Sequence, residues 1–164
     1  MIFKKLSGLL KYPEFTFSDG SMKLHNEEFT IGCKLDFFKS IIGKPSRIQY
    51  PNNPSFDYPI VSVYDHYGIV INTNKNSDIL RGIDFYYIGF AGLNLLPKDG
   101  FKGKITLFGV NIPPPANTKY FKEKFADMII EEFVTGLFIE SREFNIRCGF
   151  DERDIISSLK IKIK

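Results

Sequence analysis

The cysteines and histidines of this chain carry its most reactive side chains, and their spacing matches no catalytic or metal-binding motif. Cys33 and Cys148 stand far apart in the sequence, and His25 and His66 are the only histidines. Transition-metal sites use Cys and His ligands at short spacings such as C-x-x-C and H-E-x-x-H, and neither pattern is present. We therefore expect no bound metal.

A cysteine and His66 could still meet in the folded chain and act as a nucleophile and its base. A small enzyme that uses Cys33 or Cys148 with His66 is therefore one alternative. Buried thiols and a histidine in a turn explain the same residues more simply. The sequence contains neither a G-x-S-x-G nucleophile elbow nor a G-x-x-x-x-G-K-[ST] phosphate loop. The sequence favours a protein without enzymatic activity and without a cofactor.

The placement of the basic residues indicates which partners are unfavourable. The formal net charge is +3, from 22 basic and 19 acidic residues. Six of the lysines lie near the two ends of the chain: Lys4, Lys5, Lys11, Lys160, Lys162 and Lys164. Without them, 16 basic residues stand against 19 acidic ones. A nucleic-acid-binding protein usually carries a basic face on its folded body, so we do not expect nucleic acid as a partner.

The cellular location is predicted from the two cysteines and the N-terminal segment. Two cysteines with no disulfide framework around them suit a reducing cytosol. Residues 1–11 are basic and apolar, but they lack the uninterrupted apolar core and cleavage site of a signal peptide. No run approaches the roughly 20 apolar residues that span a bilayer. We expect a cytoplasmic protein without stable membrane insertion.

Aromatic and acidic side chains are the remaining candidates for function. They fall at a predicted hairpin tip, on the next strand and in a Pro- and Asn-rich loop: Asp65, His66, Tyr67, Tyr86, Tyr87 and Tyr58. Tyrosine is favoured at interfaces because one end is apolar and the other forms hydrogen bonds. Any single tyrosine could simply cover the core. As a group, these residues predict a surface that binds a partner protein.

The elements that position these residues are mainly strands. The chain has 17 Phe and 8 Tyr, and aromatic residues favour pleated, half-buried surfaces. We predict strands at Lys23–Ile31, Ile60–Tyr64, Gly68–Asn72, Ile79–Ile88, Lys104–Ile112, Leu137–Ser141, Glu143–Phe150 and Ile155–Lys164. Asp65 and Gly68 suit a tight hairpin between the second and third of these. The last strand alternates Leu or Ile with Lys, which predicts one face in water and a protected sheet edge.

Two helices complete the prediction. Leu35, Phe38, Ile41 and Ile42 recur at helical spacing within Lys34–Ile42, and a glycine follows. Asn117 or Thr118 can cap a second helix, which we extend to Val134 because an apolar stripe continues that far. The prediction is an α+β fold with a mainly antiparallel sheet and one or two packed helices. It forms a single domain over 1–164, with an N-terminal arm or linker over 1–22 and a body over 23–164.

Three stretches between residues 29 and 112 carry a resemblance to a known group of proteins. They are Gly-Lys-Pro-Ser-Arg at 43–47, Tyr-Asp-His-Tyr-Gly-Ile at 64–69, and the segment from Pro97 to Gly109. The chain resembles uncharacterised small bacterial proteins that look like immunity proteins of polymorphic or secretion-system toxins. The resemblance implies a non-enzymatic inhibitor that binds a cognate toxin in the cytosol. The mildly acidic body of the chain would suit a basic toxin that acts on nucleic acids. A structural module that oligomerises through an open sheet edge is a further alternative.

Overall fold

The computed structural model describes residues 12–30, 32–50, 60–90, 92–93 and 95–164. These residues form two β-sheets and two short helices. The smaller sheet contains β1 (Glu14–Ser18), β2 (Ser21–Leu24), β3 (Glu27–Phe29), β8 (Lys104–Leu107) and β9 (Val110–Ile112). Its strand order is β3-β2-β1-β8-β9, in which β1 and β8 are parallel and all other neighbours are antiparallel.

The larger sheet has eight strands, and all its neighbouring strands are antiparallel. Its members are β4 (Arg47–Gln49), β5 (Ile60–Tyr64), β6 (Ile69–Thr73), β7 (Leu80–Tyr86), β10 (Ile129–Phe133), β11 (Gly136–Glu140), β12 (Phe144–Phe150) and β13 (Ile156–Ile163). The strand order is β10-β11-β12-β13-β7-β6-β5-β4. Helices α1 (Leu35–Ile42) and α2 (Thr118–Phe125) complete the fold.

The core lies between the two sheets. Phe15 and Phe17 alternate with polar residues on β1, so both rings point to one side. The ring centroid of Phe15 lies 5.0 Å from that of Phe85 on β7, and that of Phe17 lies 6.0 Å from that of Phe144 on β12. Burying each such side chain stabilises the fold by about 1.5–3 kcal/mol. The outer face of the eight-stranded sheet is therefore left for other contacts.

The helices cover the ends of this core. Leu35 and Phe38 of α1 are buried, and the ring of Phe38 lies 5.2 Å from that of Phe29. The side chain of Asn117 accepts a hydrogen bond from the backbone N–H of Tyr120, which confirms the predicted cap of α2. Both helices are far too short to span a bilayer. No helix in the described part of the chain is long and apolar enough to do so. The prediction of a mainly antiparallel α+β fold is confirmed in outline, although the strands form two sheets.

The prediction of an arm or linker over 1–22 is wrong for the residues that the structure describes. Residues 14–18 form β1, a central strand of the smaller sheet. The turn residues around Asp19 and Gly20 led to the prediction of a linker, but they form only the turn of the hairpin that joins β1 to β2. The predicted strand over Lys23–Ile31 is also divided, because His25 takes a positive φ of 56° and begins a turn between β2 and β3.

Two further predictions about element lengths are wrong. The predicted strand over Lys104–Ile112 is a hairpin, because Phe108 and Gly109 have φ values of 49° and 79° and reverse the chain. The predicted second helix stops at Phe125 rather than Val134, and β10 follows after one 3₁₀ turn. Ile129 and Phe133 fit both the helical stripe and a strand, and pairing of β10 with β11 settles the choice.

The C-terminal strand lies in the middle of the larger sheet and not at its edge. β13 pairs with β12 on one side and with β7 on the other. Lys160 and Lys162 therefore lie on the outer face of the folded body. This corrects the prediction, which left their charges out of the charge of the body. The predicted loop over Ile48–Tyr58 begins with β4, and residues 51–59 lie outside the described residues.

Candidate functional site

The outer face of the eight-stranded sheet is crossed by one continuous row of side chains. Strand pairing places one residue of each strand beside the next, in the order Arg47, Val63, Val70, Asp84, Lys160, Arg147, Phe138 and Glu131. A second row runs parallel to it, in the order Gln49, Val61, Asn72, Gly82, Lys162, Asn145 and Glu140. The first row is apolar at Val63 and Val70 and becomes charged at Asp84 on β7. In the second row, Val61 is apolar and lies between Gln49 and Asn72.

We call the apolar part of this face the covered half, and its members are Val61, Val63, Val70 and Tyr86. These four side chains are buried although they lie on the outer face, because Phe90 and Leu96 pack on them. Both belong to the connection between β7 and β8, and we call its described residues, 87–90, 92–93 and 95–103, the covering segment. The ring of Phe90 meets that of Tyr86 edge-on with centroids 5.7 Å apart. The chain thus uses its own segment to remove this half from water.

An ion pair holds the covering segment in place. Arg47 donates to Asp65, to the carbonyl oxygen of Leu93 at 3.2 Å and to that of Leu96 at 2.6 Å. The other carboxylate oxygen of Asp65 accepts from the backbone N–H of Lys98 at 2.9 Å. Burial opposes ionisation of Asp65, but the hydrogen bonds from Arg47 and Lys98 outweigh it and hold its pKa below the ordinary value.

The other part of the outer face, which we call the open half, lies on β7, β13, β12 and β11. Its members are Gly82, Asp84, Lys160, Lys162, Asn145, Arg147 and Phe138. Together with Asn72 and Arg81 they line a groove of about 370 Å³. Gly82 deepens this groove because it has no side chain. A Cβ at this position would lie only 2.6 Å from the carbonyl oxygen of Ile161, so the position has no space for one.

Arg147 is held by aromatic rings and not by polar partners. Its guanidinium carbon lies 4.9 Å from the ring centroid of Phe133 and 5.8 Å from that of Phe138. Within the described residues, neither Arg147 nor Lys162 has a hydrogen-bond or ion-pair partner. A stacked guanidinium keeps a defined orientation while its N–H donors stay available. The open half therefore offers donors that the described part of the chain does not use.

Asp84 carries a perturbed carboxylate at the side of the groove. Burial raises its pKa to about 6, and the charge of Lys160 and a hydrogen bond with Asn72 only partly oppose this. The ammonium of Lys160 also lies 5.5 Å from the ring centroid of Tyr86. A carboxyl group that is destabilised in its charged form, and that lies in a groove, is typical of functional sites.

The residues predicted at the hairpin tip do not form one exposed surface. Asp65 is buried and bonded to Arg47, so it supports the fold and is not available to a partner. Tyr67 is half-buried against the core. His66 is exposed, and its Nδ1 lies 3.4 Å from a carboxylate oxygen of Asp99. Of the three, His66 remains accessible.

The predicted tyrosines are mostly enclosed. Tyr86 is buried in the covered half, which corrects the expectation that it meets a partner. Tyr87 is half-buried with its ring 5.8 Å from that of Phe101, and its hydroxyl has no hydrogen-bond partner among the described residues. Tyr58 lies outside the described residues. The sequence did contain a signal for the open half: the alternation of Lys160 and Lys162 with buried residues.

The thiols are poor nucleophiles in this structure. Cys148 is buried in the core, and burial raises its pKa. Burial also raises the pKa of Cys33 to about 11, and its Sγ lies 3.5 Å from the carbonyl oxygen of Lys34. Reactive cysteines need a lowered pKa. Among the described residues, no three His, Cys, Asp or Glu side chains converge as metal ligands would.

Comparison with known proteins gives a family and a fold. A family model described as a domain of unknown function (DUF7738) matches residues 14–122. A crystal structure of a DUF4309 family protein (YjgB) from Bacillus subtilis subsp. subtilis str. 168 matches with a TM-score of 0.53 and 10% identity. The match covers 89% of each chain, and at this identity it shows the fold alone. No curated protein matches the chain.

Proposed function

The chain belongs to the DUF7738 family, and we propose that it is a non-enzymatic protein that binds a partner protein against its open half. The observation that carries the proposal is the contrast on one sheet face. The chain covers the apolar half with its own segment, whereas the described residues leave the adjacent charged half uncovered. We further propose that the protein acts in the cytoplasm.

A polar outer face is normal for a sheet whose other face is buried, so polarity alone does not support binding. Three features of the open half go beyond a solvated face. Arg147 is oriented by two rings without a polar partner in the described chain, Asp84 has a raised pKa, and a glycine at position 82 deepens a groove. Interfaces are enriched in Arg and aromatic residues, which is the combination found here.

The partner that we propose is a cognate toxin, as the resemblance to immunity proteins implies. An immunity protein of this kind occludes the active site of its toxin by surface complementarity, and electrostatic attraction speeds the encounter. The match to the DUF7738 family and the structural match to YjgB bear on family and fold, and neither supplies an activity. The resemblance and the open half support this part of the proposal.

The test is complex formation with the product of the adjacent gene. Co-purification and calorimetry with the full chain should show a tight 1:1 complex. Reversal of two charges in the open half, Arg147→Glu with Lys160→Glu, should weaken it at least a hundredfold. The matched control is Lys119→Glu with Lys124→Glu, which reverses two exposed charges on α2. Absence of a complex, or equal weakening by both pairs, contradicts the proposal.

Oligomerisation through a sheet edge is the second candidate, and one observation favours it. β10 is an edge strand of the larger sheet, Ile130 within it is 61% exposed, and Val134 in the turn after it is fully exposed. Unpaired edges with exposed apolar residues can pair with another chain. Light scattering distinguishes the candidates: a dimer that Ile130→Lys converts to a monomer supports this one, and a monomer at high concentration rejects it.

A further inference from the structure

Among the described residues of the open half, positive charges outnumber negative ones. Lys160 and Arg147 are direct neighbours across β13 and β12, and Lys162 lies two residues from Lys160 on the same face. With Arg81, four cations line the groove, and Asp84 is the one acid among its lining residues. Like charges at neighbouring positions of one sheet face repel each other. A bound anion would relieve this repulsion.

The acids at the rim do not supply the missing charge. Glu140 on β11 is already paired with Lys164, with Nζ and Oε1 2.6 Å apart. Glu131 lies beyond Phe138 on β10, at the edge of the sheet. The charges of Arg147 and Lys162 are therefore available to a partner, since neither side chain has a polar partner among the described residues.

The two central cations lean away from each other and leave space between them. Arg147 turns toward Phe133 and Phe138 on β10 and β11. Lys160 turns the other way, toward Tyr86 and the carboxylate of Asp84 on β7. An anionic group seated between them would receive donors from both sides, which is the strong, charge-assisted kind of hydrogen bond.

The groove also presents hydrogen-bond acceptors, and these favour a peptide over a nucleic acid. Asp84 has carboxylate oxygens, and the amides of Asn72 and Asn145 each offer an acceptor and donors. A peptide backbone has N–H groups to match these acceptors, whereas a phosphate backbone offers acceptors alone. The exposed rings that single-stranded nucleic acids need for stacking are occupied here by Arg147.

We propose that the open half binds an extended, acidic segment of a partner protein. Its carboxylates pair with Arg147 and Lys162, and its backbone N–H groups bond to the acceptors around Asp84. This inference rests on the proposed function, since it names the chemistry of the partner surface. It also replaces the expectation of a basic toxin, because the local charge of the groove is basic while the +3 net charge of the chain is small.

A capped hexaglutamate peptide is a suitable probe, because six extended residues span about 20 Å and can cross four strands spaced about 4.8 Å apart. Fluorescence anisotropy with the full chain at low salt should show binding. Arg147→Gln and Lys162→Gln should each raise the Kd of the labelled peptide about tenfold, which corresponds to about 1.4 kcal/mol. Lys102→Gln removes one exposed charge elsewhere and should leave the Kd unchanged. Equal urea midpoints for all variants show that the fold is retained.

Hexalysine and a ten-nucleotide oligothymidine complete the experiment. Failure of hexaglutamate to bind, equal binding of hexalysine, or preferential binding of the oligonucleotide that Arg147→Gln abolishes would each overturn the inference. If the gene-neighbour complex is lost on charge reversal but hexaglutamate does not bind, the inference fails and the proposed function survives. If hexaglutamate binds as expected but no partner complex forms, the groove chemistry stands and the proposed function fails.

Discussion

The covered and open halves lie on the same face of the same sheet, yet the chain treats them in opposite ways. The row that crosses the sheet has one arginine beside the covered half and one in the open half, and these two arginines show the difference. Arg47 is bonded to Asp65 and to two backbone carbonyl groups, whereas Arg147 lies on two rings with its donors free within the described chain. One arginine supports the fold, and the other is presented outward.

The two halves should differ most when each arginine is removed in turn. Arg47→Ala leaves the buried carboxylate of Asp65 without its cation, and loss of one partner of a buried pair costs about 3–5 kcal/mol. Arg147→Ala removes only an exposed stacking contact, so we expect a loss of at most about 1 kcal/mol. Urea unfolding of both variants measures the free energies. Equal losses would contradict the division of the face into two halves.

The two aspartates give the next largest difference, which depends on pH with opposite signs. The pKa of Asp84 is raised to about 6, so the folded state binds its proton more tightly than the unfolded chain does. Its ionisation therefore lowers stability as pH rises from about 4 through about 6. The pKa of Asp65 is lowered, so its stabilisation is present above the ordinary value and is lost as pH falls below it.

Substitution of each aspartate by asparagine tests these signs. Asp84→Asn should gain about 1–2 kcal/mol relative to the parent chain between pH 4.5 and 7, a figure reduced from the full shift because the side chain is only partly buried. Asp65→Asn should be destabilised at neutral pH and should show less acid sensitivity than the parent. Unfolding free energies at four pH values provide the measurement. If the unfolding free energies of Asp84→Asn and the parent changed with pH in the same way, the pKa of Asp84 would not be raised in the folded state.

The smallest effect concerns the aromatic residues of the two halves. Phe138→Ala removes part of the platform under Arg147, so the Kd for hexaglutamate should rise about threefold with little change in stability. Phe90→Ala removes a ring that covers Tyr86, so it should lower stability by about 1 kcal/mol and leave the Kd unchanged. Anisotropy and urea unfolding on the two variants separate binding from folding. An equal effect of both variants on the Kd would contradict the assignment.

The stretches that carry the resemblance to immunity proteins meet around Asp65, whose ion pair with Arg47 holds the covering segment in place. The Oγ of Ser46 accepts from the backbone N–H of Asp65 at 3.1 Å, and the backbone N–H of Lys98 donates to the same aspartate. Gly68 has a positive φ of 68°, and its Cα packs so closely on Phe101 that any Cβ would clash with the backbone. These residues therefore preserve a scaffold, while partner recognition is proposed for other strands.

Much of the local structure was predictable from the sequence, because turn residues and alternation mark it. The strand over Ile60–Tyr64, the hairpin turn at Asp65, helix α1 and the cap at Asn117 follow from these signals. The extent of α2 was not predictable, since Ile129 and Phe133 fit two periodicities. Pairing with β11 across the tight turn at residues 134 and 135 decides that case.

The open half was not predictable, because it depends on which strands become neighbours. Asp84, Lys160 and Arg147 come from three strands, and only the order β7-β13-β12 places them side by side. Alternation on β13 indicates that its lysines face water, but not that the strand is central. Asp65 illustrates the opposite error. A polar residue at a turn is expected to be exposed, but Asp65 is buried and forms an ion pair with an arginine 18 positions earlier in the sequence.

Partner binding at the open half, with the covered half left untouched, can be observed residue by residue. The measurement is a pair of backbone amide NMR spectra of the ¹⁵N-labelled chain, recorded with and without the unlabelled product of the adjacent gene. We expect chemical-shift changes to concentrate at Lys160, Lys162, Arg147 and Phe138, while those of Val63 and Val70 stay small. Changes centred on the covered half, or spread evenly over both halves, would show that the partner does not bind where we propose.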